Sequence, residues 1–163
     1  ANPCPCGKSG TPVGDALCTC PPRMRVAYRT RLSGPLLDRV DIRVRLEPPS
    51  RLHLRAALAD AEPTSVVAGR VLQARAAAAK RLAGTPWRTN GDVPGTQLRA
   101  RWGVSGKFTR EADNAFERGN LTARGLDRVL RTAWTLADLA GDPAPAQAHV
   151  DRALNLRLSA GAW

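Results

Sequence analysis

The sequence is poor in aromatic residues, poor in acidic residues and free of long apolar runs. Phe, Trp and Tyr make up only 4% of the 163 residues, so a hydrophobic core has to be built mainly from Leu, Val and Ala. No apolar segment approaches the ~20 residues that a membrane-spanning helix needs. No signal peptide is evident either. We therefore expect a cytoplasmic protein that does not insert into a membrane.

A complete phosphate-binding loop is also missing from the sequence. Gly7-Lys8-Ser9 resembles the end of a Walker A motif, but the position of the motif's first glycine holds Asn2. No apolar strand ends in Asp-Glu, so a Walker B motif is missing as well. The chain alone is therefore not expected to hydrolyse ATP. Because the sequence starts at Ala1, inside an Asn-Pro-Cys motif, we expect it to be part of a larger protein.

Basic residues are in large excess. The chain has 25 Lys and Arg residues against 14 acidic ones, a net charge of +11. More than half of this excess lies in residues 21–55, which hold nine arginines and three acidic residues. A GC-rich genome would account for the use of Arg in place of Lys, but it does not account for the surplus of basic over acidic residues. The charge therefore predicts an anionic partner: nucleic acid, nucleotide phosphates or a membrane surface.

All four cysteines lie within the first 20 residues, as the pairs Cys4/Cys6 and Cys18/Cys20, joined by a turn-rich loop. Four thiolates brought together in this way suit a tetrahedral zinc ion, which replaces the core that so short a loop cannot form. Disulfides, free thiols and an iron–sulfur cluster are the alternatives. Without a secretory signal, a reducing compartment favours the metal. No His or carboxylate joins the four cysteines, so the sequence indicates no open catalytic position.

A second motif covers residues 33–41 and leads into an alternating segment. Ile42, Val44 and Leu46 alternate with charged residues, and this period of two predicts a strand with one apolar face. Arg39 lies just before this strand, on a turn or helix end from which it could reach a neighbouring molecule. The alternative is an ordinary surface ion pair with a nearby aspartate. The strand has no evident sheet partner in the sequence, which again indicates a larger protein.

The remainder of the sequence has helical periodicity. Val67 to Leu82 carries an apolar stripe with the spacing of a buried helix face. Phe108 and Phe116 are expected to anchor the core, and His149 to lie at the surface or to cap a helix. Predicted helices run from Pro22 to about Leu32, over 51–60, between Pro63 and Gly84, around Leu98 and Trp102, up to Gly119, from Thr122 to Ala140 and from Pro145 to Leu158.

The clearest predicted helix is the one from Thr122 to Ala140. Thr122 fits an N-cap, and Gly141 fits a C-terminal stop. At about 100° per residue, Arg124, Arg128 and Arg131 fall within a narrow wedge opposite the apolar stripe. These arginines could contact phosphates, or they could form an ordinary solvated face. The predicted buried stripe consists of Leu126, Val129, Leu130, Ala133, Ala137 and Ala140.

Several of these motifs resemble one known family. The Asn-Pro-Cys-Pro-Cys-Gly sequence at 2–7, the second cysteine pair and the segment 33–41 resemble the C-terminal part of the magnesium-chelatase-like AAA+ ATPases of the bacterial competence type. Segments 121–124 and 128–139 resemble the helix of that family's lid domain. The resemblance extends from residue 2 to about residue 158. Its specific parts are the cysteine motif and the segment 33–41.

The resemblance implies a role for several residues. Asn2 would be the sensor-1 residue that orients the attacking water, and Arg39 the arginine finger that acts on ATP held by the adjacent subunit. Arg124 would be the sensor-2 arginine, with Arg128 and Arg131 as less favoured candidates. Complete members bind ATP and Mg. They are thought to form hexameric rings that act on DNA, as in branch migration during natural transformation.

The expected fold is therefore mainly α with a small β contribution. It consists of a partial AAA+ module, with a sensor-1 strand end, a four-cysteine knuckle and one strand, and a helical lid domain. Residues 1–50 would be the C-terminal remainder of the AAA+ core, 51–95 a linker with an Ala-rich helix, and 96–163 the lid. The expected function is to supply an arginine finger and a sensor-2 lid to a DNA-remodelling ring. The alternative is a zinc-dependent nucleic-acid-binding module without enzymatic activity.

Overall fold

A computed structural model describes residues 2–46, 49–104 and 106–158, and this part of the chain is mainly helical. No helix within these ranges combines the length and the apolar character needed to cross a lipid bilayer. In chain order the helices are α1 Pro12–Leu17, α2 Pro22–Arg29, α3 Gly34–Leu37, α4 Arg51–Asp60, α5 Thr64–Arg81, α6 Gly95–Trp102, α7 Gly106–Glu117, α8 Ala123–Ala140 and α9 Gln147–Leu158.

The small β contribution expected after Arg39 is not observed in the described ranges. Residues 42–46 have no regular secondary structure, and the end of the predicted strand, residue 47, lies outside the described residues. A strand requires the backbone hydrogen bonds of a neighbouring strand. The Arg43 N–H instead donates to the carbonyl of Leu156 in α9, at 2.8 Å. The predicted strand is therefore not confirmed.

Contacts divide the described chain into two compact units, residues 2–40 and residues 41–158. The first unit contains the cysteine loop and helices α1, α2 and α3. In the second unit, α8 is the central element, and it contacts α5, α6, α7 and α9. The predicted three-part division at residues 50 and 95 is a different partition and stays a prediction.

Helix α8 has the ends that the sequence predicts. The Thr122 hydroxyl accepts a hydrogen bond from the Gly125 N–H at 3.0 Å, which satisfies one of the unpaired donors of the first turn. At the other end, Gly141 has a φ of 79°, the left-handed conformation that glycine adopts without strain. The predicted stripe is buried from Val129 to Ala137, but Ala140 is exposed because it lies in the last turn.

Two hydrophobic clusters cover different parts of α8. One cluster joins α8 to α7 and α9, and its smallest exposures are those of Ala112, Ala133 and Val150 at 0%. The other cluster joins α8 to α6 and to the end of α5 through Leu82, Val93, Leu98, Leu130 and Trp134. Ala, Val and Leu supply most of both clusters, as the scarcity of aromatic residues requires.

Two sequence predictions about the core need correction. Phe116 is 44% exposed and does not anchor the core, whereas Phe108 is partly buried against the first cluster. On α5, Val67 and Val71 are 39% and 38% exposed, and burial begins only at Ala74. The apolar stripe is therefore longer than the surface that the second unit covers. Periodicity identifies the face of a helix but not how far its neighbours extend.

Candidate functional site

The thiols of Cys4, Cys6, Cys18 and Cys20 form one cluster in the first unit, here called the cysteine cluster. All four sulfur atoms lie within 4.8 Å of one another. The Cys4 sulfur is 3.4 Å from that of Cys6 and 3.7 Å from that of Cys18. None of the four forms a disulfide. Four sulfur ligands this close together could hold a metal ion.

The loop between the cysteine pairs is closed by its own hydrogen bonds. The Asp15 carboxylate accepts from the Ser9 hydroxyl at 2.7 Å and from the Gly10 N–H at 3.1 Å. Gly10 has a φ of 106°, which strongly favours glycine. A Cβ at Gly14 would collide with the Lys8 carbonyl. These residues position the cysteines without contributing ligands.

Hydrogen bonding lowers the pKa of the Cys4 thiol. Burial acts to raise the pKa of Cys4, but the hydrogen bonds from the Ser9 N–H and from the thiols of Cys6 and Cys18 outweigh it, and the pKa falls to about 6. The pKa of Cys20 rises to about 11, because burial and the neighbouring thiols outweigh a backbone hydrogen bond. Once one thiol of the cluster is deprotonated, its negative charge therefore makes deprotonation of a neighbouring thiol less favourable. A bound cation would relieve this repulsion.

Arg39 follows the short helix α3 and has an exposed side chain. The Ser33 hydroxyl caps this helix by accepting from the Leu36 N–H at 3.4 Å. One guanidinium N–H of Arg39 donates to the Pro35 carbonyl at 2.7 Å. Arg39 forms no ion pair with the described residues, so the surface pair considered as its alternative is not observed there. Its charge remains accessible to a second molecule.

Asn2 lies within the cysteine motif and is exposed. Its amide faces the backbone of Gly7, where a Cβ would stand 3.5 Å from the amide nitrogen. The strand end expected of a sensor-1 residue would lie before Asn2, outside the described residues. The role of Asn2 stays a prediction.

The three arginines of α8 have different surroundings although their spacing is regular. Arg124 is exposed and forms no hydrogen bond or ion pair with the described residues. Arg128 pairs with Asp41, and its side chain is only 19% exposed. Arg131 donates twice to the buried Val93 carbonyl, at 3.0 and 2.8 Å. Of the three, only Arg124 has a guanidinium available to a ligand without loss of a contact.

A polar network that the sequence analysis did not identify lies between α5 and α8. Asp138 is buried and accepts from both Arg81 and Asn90. The Arg81 guanidinium also lies 4.2 Å from the ring centre of Trp134. Arg81 and Asp138 are 57 residues apart in sequence, so no local pattern joins them. The network has a complete set of internal partners, which indicates a structural role.

The family profile of the magnesium chelatase subunit ChlI C-terminal region matches residues 61–157, more than half of the chain. The profile of magnesium chelatase subunit ChlI matches residues 1–54. The class that these matches define is a magnesium-chelatase-type protein. The chain belongs to the magnesium chelatase subunit ChlI C-terminal family, so the predicted resemblance is confirmed.

Individual relatives agree with this membership. Protein Rv2897c of Mycobacterium tuberculosis is 44% identical over 158 residues, which cover 96% of this chain and 30% of the relative. YifB of Escherichia coli is 25% identical, covering 85% of this chain and 26% of the relative. Competence protein ComM of Haemophilus influenzae is 27% identical, covering 83% of this chain and 26% of the relative. The chain thus spans less than a third of the length of the curated relatives it matches.

Proposed function

We propose that this chain supplies the arginine finger and the lid arginine of a AAA+ ATPase whose subunits assemble into a ring, most simply a hexamer. Membership in the magnesium chelatase family, over nearly the whole chain, is the observation that carries the proposal. ATP and Mg would bind to the phosphate-binding loop that precedes this segment in complete members. Residues 1–50 would then be the C-terminal part of the AAA+ core, residues 51–95 would link the core to the lid, and residues 96–163 would form the lid.

Arg39 is the proposed arginine finger. Its side chain is exposed and carries a full charge, and the capped turn of α3 fixes where its backbone lies. An arginine that approaches the γ-phosphate from a neighbouring subunit stabilises the charge that develops during phosphoryl transfer, and such a group is worth about 10³- to 10⁵-fold in turnover. It contributes little to ground-state binding of ATP. Asn2 is the proposed sensor-1 residue, orienting the attacking water.

Arg124 is the proposed sensor-2 residue. It lies in the first turn of α8, on the exposed side, and it has no partner to give up. Arg128 and Arg131 would each have to break an existing interaction before reaching a nucleotide. The availability of the Arg124 guanidinium therefore favours it over the other two arginines of the helix.

The cysteine cluster is the proposed site of a structural zinc ion. Sulfur ligands at ~2.3 Å from a tetrahedral zinc ion lie about 3.8 Å apart. The sulfurs of Cys4, Cys6 and Cys18 are 3.4 to 3.7 Å apart, and that of Cys20 lies within 4.8 Å of each of them. Cys4, Cys6, Cys18 and Cys20 would hold the ion, and the four thiolates leave it no open position for catalysis. Zinc would fix the loop that contains Asn2 and so support the sensor-1 position.

DNA is the proposed substrate of the assembled ring, in a reaction of the branch-migration helicase type. The chain carries a net charge of +11, which favours a polyanionic partner. One relative is named a competence protein, and the family that the chain resembles is thought to act on DNA during natural transformation. A cytoplasmic location follows from such a role.

The test of the enzymatic proposal is a single substitution in a complete protein that carries this chain. Arg39→Ala should retain nucleotide binding and lose ATP turnover by at least about 10³-fold. Arg31→Ala is the matched control, because Arg31 is also an exposed arginine of the first unit but lies outside the 33–41 motif. Equal turnover by Arg39→Ala and Arg31→Ala would remove Arg39 from its proposed role.

The cysteine cluster also favours a second candidate, a zinc-dependent nucleic-acid-binding module without enzymatic activity. On this alternative, the 163-residue chain binds DNA, and a zinc chelator abolishes the binding. The first proposal predicts a different result, because part of the basic surplus, such as Arg45 and Arg152, lies in the second unit, which does not contain the cysteine cluster. DNA binding that persists after chelation therefore favours the AAA+ assignment.

A further inference from the structure

A groove lies between the irregular segment 43–45 and helix α9, within the second unit. Its volume is about 620 Å³. Arg43 and Arg45 line one side, while Asp151, Arg152 and Asn155 line the other. None of these residues has a role in the proposed ATPase site. We call this feature the arginine groove.

The charge of the arginine groove favours an anion. Among the described residues that line it, three are arginines and one is an aspartate, and a guanidinium can only donate hydrogen bonds. The Asp151 carboxylate already accepts from the Gln147 amide at 2.7 Å, which occupies part of its acceptor capacity. Arg152 is exposed and forms no hydrogen bond or ion pair with the described residues. A ligand rich in acceptor oxygens therefore suits the groove.

The walls of the groove are held in place. The Arg43 N–H donates to the Leu156 carbonyl at 2.8 Å, which attaches the segment 43–45 to α9. On its other face, α9 buries Val150 and Ala153 to 0% and 1% exposure in the first hydrophobic cluster. The arginines thus extend from a fixed backbone, and binding an anion would not require the walls to be ordered first.

We propose that the arginine groove binds the phosphodiester backbone of a nucleic-acid strand. Its described lining contains no aromatic side chain on which a base could stack, so the contacts are to phosphates and do not depend on base sequence. The groove is open at the surface of α9, which suits a continuous strand better than an enclosed mononucleotide. The inference rests on the proposed DNA partner and assigns it a surface.

The test uses the 163-residue chain and a fluorescently labelled single-stranded oligonucleotide of random sequence. Binding is measured by anisotropy between about 25 and 200 mM NaCl. Arg45→Gln/Arg152→Gln removes two groove contacts, and the slope of log K against log salt should fall in magnitude by about 1.4, with affinity at least about tenfold weaker at low salt. Arg110→Gln/Arg118→Gln is the matched control, because it removes the same charge from exposed positions outside the groove.

Three results would overturn the groove proposal. The first is that the groove variant and the control variant weaken binding equally, which would show an effect of net charge alone. The second is that the groove variant keeps the wild-type salt slope. The third is that ATP displaces the oligonucleotide as well as unlabelled strand does at the same phosphate concentration, which would indicate a mononucleotide site. Unchanged thermal midpoints establish that the variants fold. ATP turnover is not measured here, so failure of this assay leaves the Arg39 experiment informative, and the reverse also holds.

Discussion

Replacing Asp138 by Asn should destabilise the second unit strongly. Asp138 is 5% exposed, and its carboxylate is the ion-pair partner of Arg81, whose side chain is only 15% exposed. Removing one partner of a buried ion pair leaves the other charge buried and uncompensated, which costs about 3–5 kcal/mol. Asparagine keeps one oxygen that can accept from Arg81 or Asn90. We therefore expect the lower end of this range, about 3 kcal/mol.

The assay is urea unfolding followed by tryptophan fluorescence. Trp134 lies 4.2 Å from the Arg81 guanidinium, so its emission reports on this region. With an m-value of about 1–3 kcal/mol/M, a loss of about 3 kcal/mol lowers the urea midpoint by about 1–3 M.

The control is Glu62→Gln, which breaks the Glu62–Arg70 pair. One N–O distance is 2.7 Å in both the Arg81–Asp138 pair and the Glu62–Arg70 pair, but the side chains of Glu62 and Arg70 are 44% and 54% exposed. An exposed ion pair of this kind contributes about 0–1 kcal/mol. The reasoning is refuted if Asp138→Asn moves the midpoint no further than Glu62→Gln does, because burial is then not what decides the strength of the pair.

Further expected outcomes concern the lid arginines, a loop carboxylate and a glycine. Arg131→Ala removes two hydrogen bonds to a buried carbonyl and should lower the unfolding free energy by about 1–3 kcal/mol. Arg124→Ala should change the unfolding free energy by less than about 0.5 kcal/mol. Urea titration of the two variants measures this difference. The Thr89 hydroxyl and N–H lower the pKa of Asp92, so its contribution to stability is present above the unfolded pKa and is lost as pH falls through the folded one. The difference in stability between wild type and Asp92→Asn should therefore shrink in acid. Gly95→Ala places a Cβ against a carboxylate of α8 and should destabilise the second unit by about 1–3 kcal/mol, as its thermal midpoint would report.

Local sequence signals predicted most of the helices. Thr122 and Gly141 mark the ends of α8, and Pro63 and Gly84 bracket α5, because caps and stops act on the nearest turn of backbone. The helix predicted to reach about Leu32 ends at Arg29, with Thr30 as its C-cap, and the Thr30 hydroxyl donates to the Ala27 carbonyl of the last turn. A strand requires hydrogen bonds from a neighbouring strand, and no described segment supplies a strand partner to residues 42–46, so alternation alone did not predict their structure.

The candidate site was predictable where its residues are close in sequence. Two Cys-x-Cys pairs joined by a short loop bring their sulfurs together, and the structure has all four within 4.8 Å of one another. The lid arginines have helical spacing, but their partners Asp41 and Val93 lie far away in the chain. For the same reason, periodicity could not predict the Arg81–Asp138 network or the arginine groove, both of which join distant segments.

The central claim is that Arg39 acts on ATP held by a different subunit. The most direct measurement mixes two inactive variants of a complete protein that carries this chain: Arg39→Ala, and a variant disabled in its own phosphate-binding loop. At mixed interfaces an intact loop meets an intact Arg39, so the account predicts that mixing restores ATP turnover that neither variant has alone. A mixture no more active than its separate components would contradict the account.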